Sequence, residues 1–169
     1  GRYWFVSRLG VIGVVDPATG AVRTMELTDE EIENSMAVDR DAVYVVSDRV
    51  VYALSADGEG APTVEWREEY DRSGGPRPGQ IALGSGTTPT LVGRHFLAIA
   101  DGADPVRVVV MRRTALHGEE RTMCAVPVFD AGASAVENSL VTDGTHVAVQ
   151  NTYGYADLFS LPPGRTVPG

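Results

Sequence analysis

Lysine is absent: all 14 basic residues are arginine, set against 23 acidic ones, for a formal charge of −9. A surface of that sign repels a phosphate backbone, so nucleic acid is not an expected partner. Cysteine is nearly absent too. Cys124 stands alone, which excludes an intrachain disulfide, a CxxC redox pair and a cysteine-based metal centre. Within Thr122–Val126, a strand-like run, Cys124 reads as a small buried hydrophobe. No motif ties His95, His117 or His146 to it as a catalytic partner. No 18-residue apolar run occurs, so no membrane-spanning helix is expected, and no signal-peptide pattern opens the sequence. Helical periodicity is also missing, apart from one turn suggested by Thr28–Asn34, where an acidic run follows a threonine cap. The Asp29–Glu31 run itself reads as a solvated face. With 43 % hydrophobic residues the chain has enough apolar material for a core, which excludes disorder.

A repeat is present. Glu33-Asn-Ser-Met-Ala-Val-Asp39 returns as Glu137-Asn-Ser-Leu-Val-Thr-Asp143, 104 positions later, and Thr87–Gly93 is a looser copy midway. The unit is therefore roughly 52 residues. Each copy is followed by an alternating, β-rich run: Val43–Ser47, Phe96–Ala100 and Val147–Val149. Third strands follow at Val50–Leu54, Val106–Met111 and Asp157–Leu161. Tyr3–Ser7 and Val11–Val15 fit the second and third positions of a preceding unit. Val22–Leu27, Thr63–Glu68 and Thr122–Phe129 fit fourth positions.

Four short strands per unit of this length predict an all-β chain built as a β-propeller, with a β-sandwich as the alternative. The units run approximately 1–31, 32–86, 87–136 and 137–169 within a single propeller segment. About three and a half blades fall short of the roughly four to eight that close a ring. Closure is expected to come from further blades or from a partner chain.

The turn Asp16-Pro-Ala-Thr-Gly20, and more loosely Tyr52–Gly58 leading to Trp66, resembles the Asp-x-x-Thr-Gly turn of quinoprotein-like β-propellers, the family with PQQ-dehydrogenase-type repeats. In that family the turn joins the third and fourth strands of a blade, and a following tryptophan docks one blade on the next. Only the second copy here keeps a tryptophan; Thr24 and Met25 fill that stretch in the first. The resemblance also implies an extracytoplasmic setting. Its quinone cofactor rests on a tryptophan and often a vicinal cysteine pair, beside a Ca²⁺ held by Glu, Asn and Asp. A single cysteine cannot form that pair, so PQQ is not expected.

Propellers of this kind bind ligands where the loops leading into the innermost strands meet the turns between second and third strands. That rule selects Glu33, Asn34, Asp101, Asp104, Glu137 and Asn138 as candidate metal ligands, with Ca²⁺ as the candidate ion, because short oxygen-bearing side chains suit a hard cation. It selects Asp48, Thr87, Thr88, Asn151, Tyr153 and Tyr155 as candidate ligand-binding residues. In residue type the set is similar to the Ca²⁺ floor of gluconolactonase- and paraoxonase-like propellers. Glu-Asn pairs and Asp101–Asp104 also read as satisfied turns. The segment 70–86 reads either as a binding loop at the same mouth or as a linker between blades.

No catalytic triad, phosphate loop or zinc spacing occurs. The first functional reading is a non-catalytic binding scaffold that takes a small molecule or protein at this mouth. The alternative is a Ca²⁺-dependent lactonase or esterase, with a quinoprotein oxidoreductase less favoured. A mouth filled by Tyr and Arg side chains would favour the scaffold, and a tightly held divalent ion the hydrolase.

Overall fold

The computed structural model describes residues 1–72, 75, 77–115 and 119–155. Among these residues thirteen strands, all paired antiparallel, make four sheets in chain order. Sheet I holds β1 (Tyr3–Val6), β2 (Val11–Val15) and β3 (Val22–Glu26). Sheet II holds β4 (Ala37–Val38), β5 (Val43–Val46), β6 (Val50–Ala56) and β7 (Pro62–Glu69). Sheet III holds β8 (Thr90–Val92), β9 (Phe96–Ala100), β10 (Arg107–Arg112) and β11 (Thr122–Pro127). Sheet IV holds β12 (Val141–Thr142) and β13 (Val147–Ala148). Every strand expected from the alternation is present within a few residues. The exception is Asp157–Leu161, which lies outside the described residues, as does His117. Among the described residues no helix is long and apolar enough to cross a membrane.

Short connections force neighbouring strands to pair, and aspartates set the turns. In the β2–β3 turn Asp16 Oδ1 accepts the Ala18 N–H at 2.8 Å, and Gly20 takes φ 73°, a backbone region that favours glycine. Asp57 caps the β6–β7 turn the same way, accepting from Glu59 and Ala61 N–H at 2.9 Å each. The β4–β5 and β12–β13 turns use repeat-related residues. Asp39 accepts from Asp41 and Ala42 N–H, while Asp143 accepts from Thr145 and His146 N–H. These bonds favour the charged carboxylates and hold the Asp16, Asp39, Asp57 and Asp143 pKa values low, with Asp143 down to about 2.

The sheets stack face to face, and the alternation along each central strand assigns its side chains to two neighbours. Val43 and Val45 of β5, with Val50, Tyr52 and Leu54 of β6, pack toward Ile12 and Leu27 of the first unit. Their alternates Tyr44, Val46, Val51 and Ala53 pack against Leu97, Ile99, Val109 and Met111 of sheet III. The other face of sheet III, with Ala98, Ala100 and Val108, meets Val136 and Leu140 of the last unit. The near-continuous apolar composition of β5 and β6 follows from this two-sided burial. Trp66 of β7 crosses from sheet II to sheet III, its Nε1 donating to the Arg113 carbonyl at 3.0 Å.

Three expectations are corrected. Thr28–Asn34 forms turns and bends in place of a helical turn. Asp29 takes φ 59°, and Leu27 and Ile32 donate their N–H groups to the Gly10 and Arg8 carbonyls, which ties the segment to sheet I. Within it Glu30 is no solvated carboxylate: it accepts the Tyr52 hydroxyl at 2.7 Å and the Ser47 hydroxyl. Cys124 is exposed, because β11 is the outer strand of sheet III and buries little of its length. The segment 70–86, over its described part, reaches the place where the sheets converge, with Ala82 and Gly84–Thr87 buried and Ile81 and Leu83 exposed beside them.

Candidate functional site

The loops leading into β4, β8 and β12 meet at one end of the stack, and each bonds to the next. Asn34 Nδ2 donates to the Ser85 carbonyl at 2.8 Å, 51 residues on. The Thr88 N–H donates to Ser139 Oγ at 3.2 Å, again 51 residues on. Thr87 is fully buried between them, its Oγ1 accepting the Ala100 N–H at 3.1 Å and lying 2.8 Å from Ser85 Oγ.

Glycine lets the middle loop come this close. A Cβ on Gly86 would overlap the Val136 carbonyl and lie 2.7 Å from Glu137 Oε2, and one on Gly84 would overlap the Asp48 carbonyl. Tyr70 fastens the same loop. Its hydroxyl donates to the Ser47 carbonyl at 2.5 Å and accepts the Ser85 N–H at 2.8 Å, and burial pushes its pKa up.

Two adjoining clefts open here and share Glu33. The smaller, about 380 Å³, is lined by Arg8, Ile32, Glu33, Asn34, Ile81, Ala82 and Glu137. The larger, about 640 Å³, includes Asp48, Glu30 and Glu31 with Arg49, Arg72 and Leu83. In the smaller cleft the two repeat-related glutamates face a common space but are held differently. Glu33 Oε1 accepts from Arg8 at 3.3 Å, whereas Glu137 Oε1 accepts the Ile81 and Ala82 N–H groups at 2.6 and 3.0 Å. Burial raises both carboxyl pKa values. Arg8 works against the rise at Glu33, the two N–H groups work against it at Glu137, and the charge of Glu33 adds to it at Glu137.

The other sequence-selected residues lie apart from this pair. Asp101 is buried and engaged by Arg107, by Nε at 2.7 Å and by the N–H at 2.8 Å; burial outweighs these contacts and pushes its carboxyl up. Asp104 accepts from the Gly132 N–H at 2.8 Å and Ser134 Oγ at 3.3 Å, beside Arg77. Asn138 Nδ2 donates to Gln150 Oε1 at 2.8 Å. Asn151 Oδ1 accepts the Ala135 and Tyr153 N–H groups, and the Tyr155 N–H donates to the Thr152 carbonyl. Asp48 lines the larger cleft, accepting the Glu31 N–H and pairing with Arg72 at 2.5 Å and Arg49 at 3.2 Å. Among the described residues no three His, Cys, Asp or Glu side chains stand close enough to hold a metal ion.

Arg8 and Glu30 are site residues that the motif search passed over. Arg8 occupies the β1–β2 turn, equivalent to the Asp48–Arg49 turn of sheet II, so the rule that selected Asp48 applies to it equally. Glu30 carries no comparable signal, since its partners Ser47 and Tyr52 are distant in sequence.

No family model matches the chain. It is 31 % identical, over 188 aligned positions, to an uncharacterized protein of Archaeoglobus fulgidus; the alignment covers 99 % of this chain and 37 % of that protein. The chain thus spans little more than a third of that relative's length.

Proposed function

We propose that the chain is a β-propeller segment of the quinoprotein-like kind, serving as a non-catalytic scaffold that binds a small molecule or protein at the Glu33–Asn34–Glu137 cleft. One observation carries this reading. Two glutamates 104 residues apart in a repeat are brought to one cleft by loops that bond to each other. The serial stack and the crossing of Trp66 from one sheet to the next support the propeller architecture, with closure supplied by further blades or a partner chain. Arg72 pairs with Asp48 in the larger cleft and Tyr70 fastens the loop beside it, which favours holding over turnover.

The clefts are acidic, with hydroxyl-accepting carboxylates beside apolar Ile81 and Leu83, and this suits a cationic or polyhydroxylated ligand. The test is a thermal-shift screen of amines, polyols and divalent cations on the wild type and on Glu33→Gln and Asn34→Ala. A hit lost in both variants supports the cleft. A hit indifferent to both moves the site elsewhere.

The second reading, a Ca²⁺-dependent lactonase or esterase, draws on the hard oxygen donors of Glu33, Asn34 and Glu137. Elemental mass spectrometry of natively purified protein, with melting curves in EDTA and in added Ca²⁺, separates the two. Stoichiometric Ca²⁺ whose removal lowers the melting point favours the hydrolase; no metal and no shift leaves the scaffold.

A further inference from the structure

The two ends of the stack are unlike its interior. A serine follows β1 and β5 in the same way: the Ser7 and Ser47 N–H groups donate to the Val11 and Val50 carbonyls at 2.8 Å each. Counted back from these serines, Tyr3 and Phe5 occupy the places of Val43 and Val45. The register sets Val15 and Gly13 beside them, where sheet II has Leu54 and Tyr52. Those four residues of sheet II are at most 4 % exposed, because sheet I covers them. Tyr3, by contrast, is 68 % exposed and Phe5 37 %, and Val22, paired with Val15, is 49 % exposed. The Phe5 ring lies over Gly13, where a Cβ would overlap it. No charged side chain interrupts the rows Tyr3–Val15–Val22 and Phe5–Gly13–Thr24. This is a face of interior composition turned to solvent, and an exposed apolar patch of that kind marks a contact.

Sheet IV presents the converse at the other end. Val141 pairs with Ala148 as Ala37 pairs with Tyr44 in sheet II and Thr90 with Ala98 in sheet III. Tyr44 and Ala98 are buried by the sheet that follows. Val141 is 69 % exposed, and Ala148 is exposed with it.

Every interior contact sets the following face of one sheet against the preceding face of the next. The chain therefore carries both halves of one more such contact. They also differ in relief, with aromatic rings on sheet I and small side chains on sheet IV, a combination that interdigitates into close packing. We propose that a second copy of the chain covers both ends, its sheet IV seated on sheet I and its sheet I on sheet IV about a two-fold axis. The inference rests on the propeller reading and names the partner that closes the ring. Two copies of four sheets bring eight units, within the roughly four to eight that close one. Sheet I stacked on its own mate would set ring against ring and leave Val141 bare.

Sedimentation velocity and light scattering of the full chain, from micromolar to submillimolar concentration, test this. A species of twice the chain mass is expected, with the X-ray scattering of a ring. Tyr3→Glu and Val141→Glu each replace an exposed side chain, so far-UV circular dichroism should stay that of the wild type. Each should weaken the dimer about tenfold or more, since it buries a charge in an apolar contact. Val126→Glu, equally exposed but on the outer strand of sheet III, should leave the dimer unchanged. A monomer at every concentration, a dimer that Tyr3→Glu breaks and Val141→Glu does not, or oligomers that lengthen beyond two copies would overturn the proposal. A monomer whose X-ray scattering fits the four-sheet stack would remove the second copy alone. A dimer whose scattering excludes a ring would remove the propeller reading with it.

Discussion

Sheets II and III are joined at both ends, but by different means. At the mouth, backbone meets backbone and carboxylate: Gly84 and Gly86 thread between Asp48 and Val136, and Glu137 accepts two main-chain N–H groups. At the far end, long side chains lie across the gap, with Trp66 donating to Arg113 and Arg121 stacked over Trp66. The mouth therefore depends on the absence of a Cβ at fixed positions, and the far end on reach and ring area. A one-carbon addition should be ruinous at the first, while a conservative exchange at the second should cost only the bonds it removes.

Four substitutions test that contrast. The largest effect is expected from Gly86→Ala, whose Cβ would overlap the Val136 carbonyl and crowd the Glu137 Cα; because these are main-chain atoms, it should lose about 3 kcal/mol or more. Urea unfolding measures it, and a loss under 1 kcal/mol would show the loop to be free to move. Trp66→Phe keeps most of the apolar contact and gives up the N–H donor and part of the ring, for about 1–2 kcal/mol by the same assay.

Glu137→Gln should act in the stabilising direction. Because the native carboxyl pKa is raised above its ordinary 4.5, the folded state binds the proton more tightly than the unfolded chain, and stability falls as pH rises through the native value. Gln keeps an oxygen for the Ile81 and Ala82 N–H groups and removes the charge. Calorimetry at pH 7 should show the variant melting higher than the wild type. That gain should close as the pH falls below about 4.5, and a gain independent of pH would point to packing as its cause.

The smallest effect is a difference between repeat mates. Asn34→Ala should cost about 1 kcal/mol, because its amide joins two loops, and Asn138→Ala no more than about 0.5 kcal/mol, because among the described residues its exposed amide meets Gln150 alone. Equal losses on chemical denaturation would mean that the inter-loop bond carries no particular weight.

The strands were legible because β5 and β10 bear dense β-branched runs, β6 and β9 bear short apolar ones, and aspartate-led turns separate several of them. The mouth was legible in part, since Glu33 and Glu137 recur at one spacing. What escaped was tertiary in origin. The pairing of Glu30 depends on Ser47 and Tyr52, and the exposure of Cys124 on β11 having a strand on one side only among the described residues. The packing of Gly84–Thr87 follows from how close three sheets come, a distance that composition does not encode. A glycine-rich stretch reads identically whether it spans solvent or squeezes between carbonyls.

The two-faced central strands have a consequence for how the protein comes apart. Val43 and Tyr44 are adjacent residues, yet one belongs to the contact with the preceding sheet and the other to the contact with the following one. No interior sheet owns a core; it shares half of each with a neighbour. Stability is then held in the interfaces, as in a row of coupled units in which each state depends on those beside it. Melting one sheet strips cover from both of its neighbours, so loss of order should spread inward from whichever end opens first, and hydrogen exchange should be slowest at the β5–β6 and β9–β10 pairs.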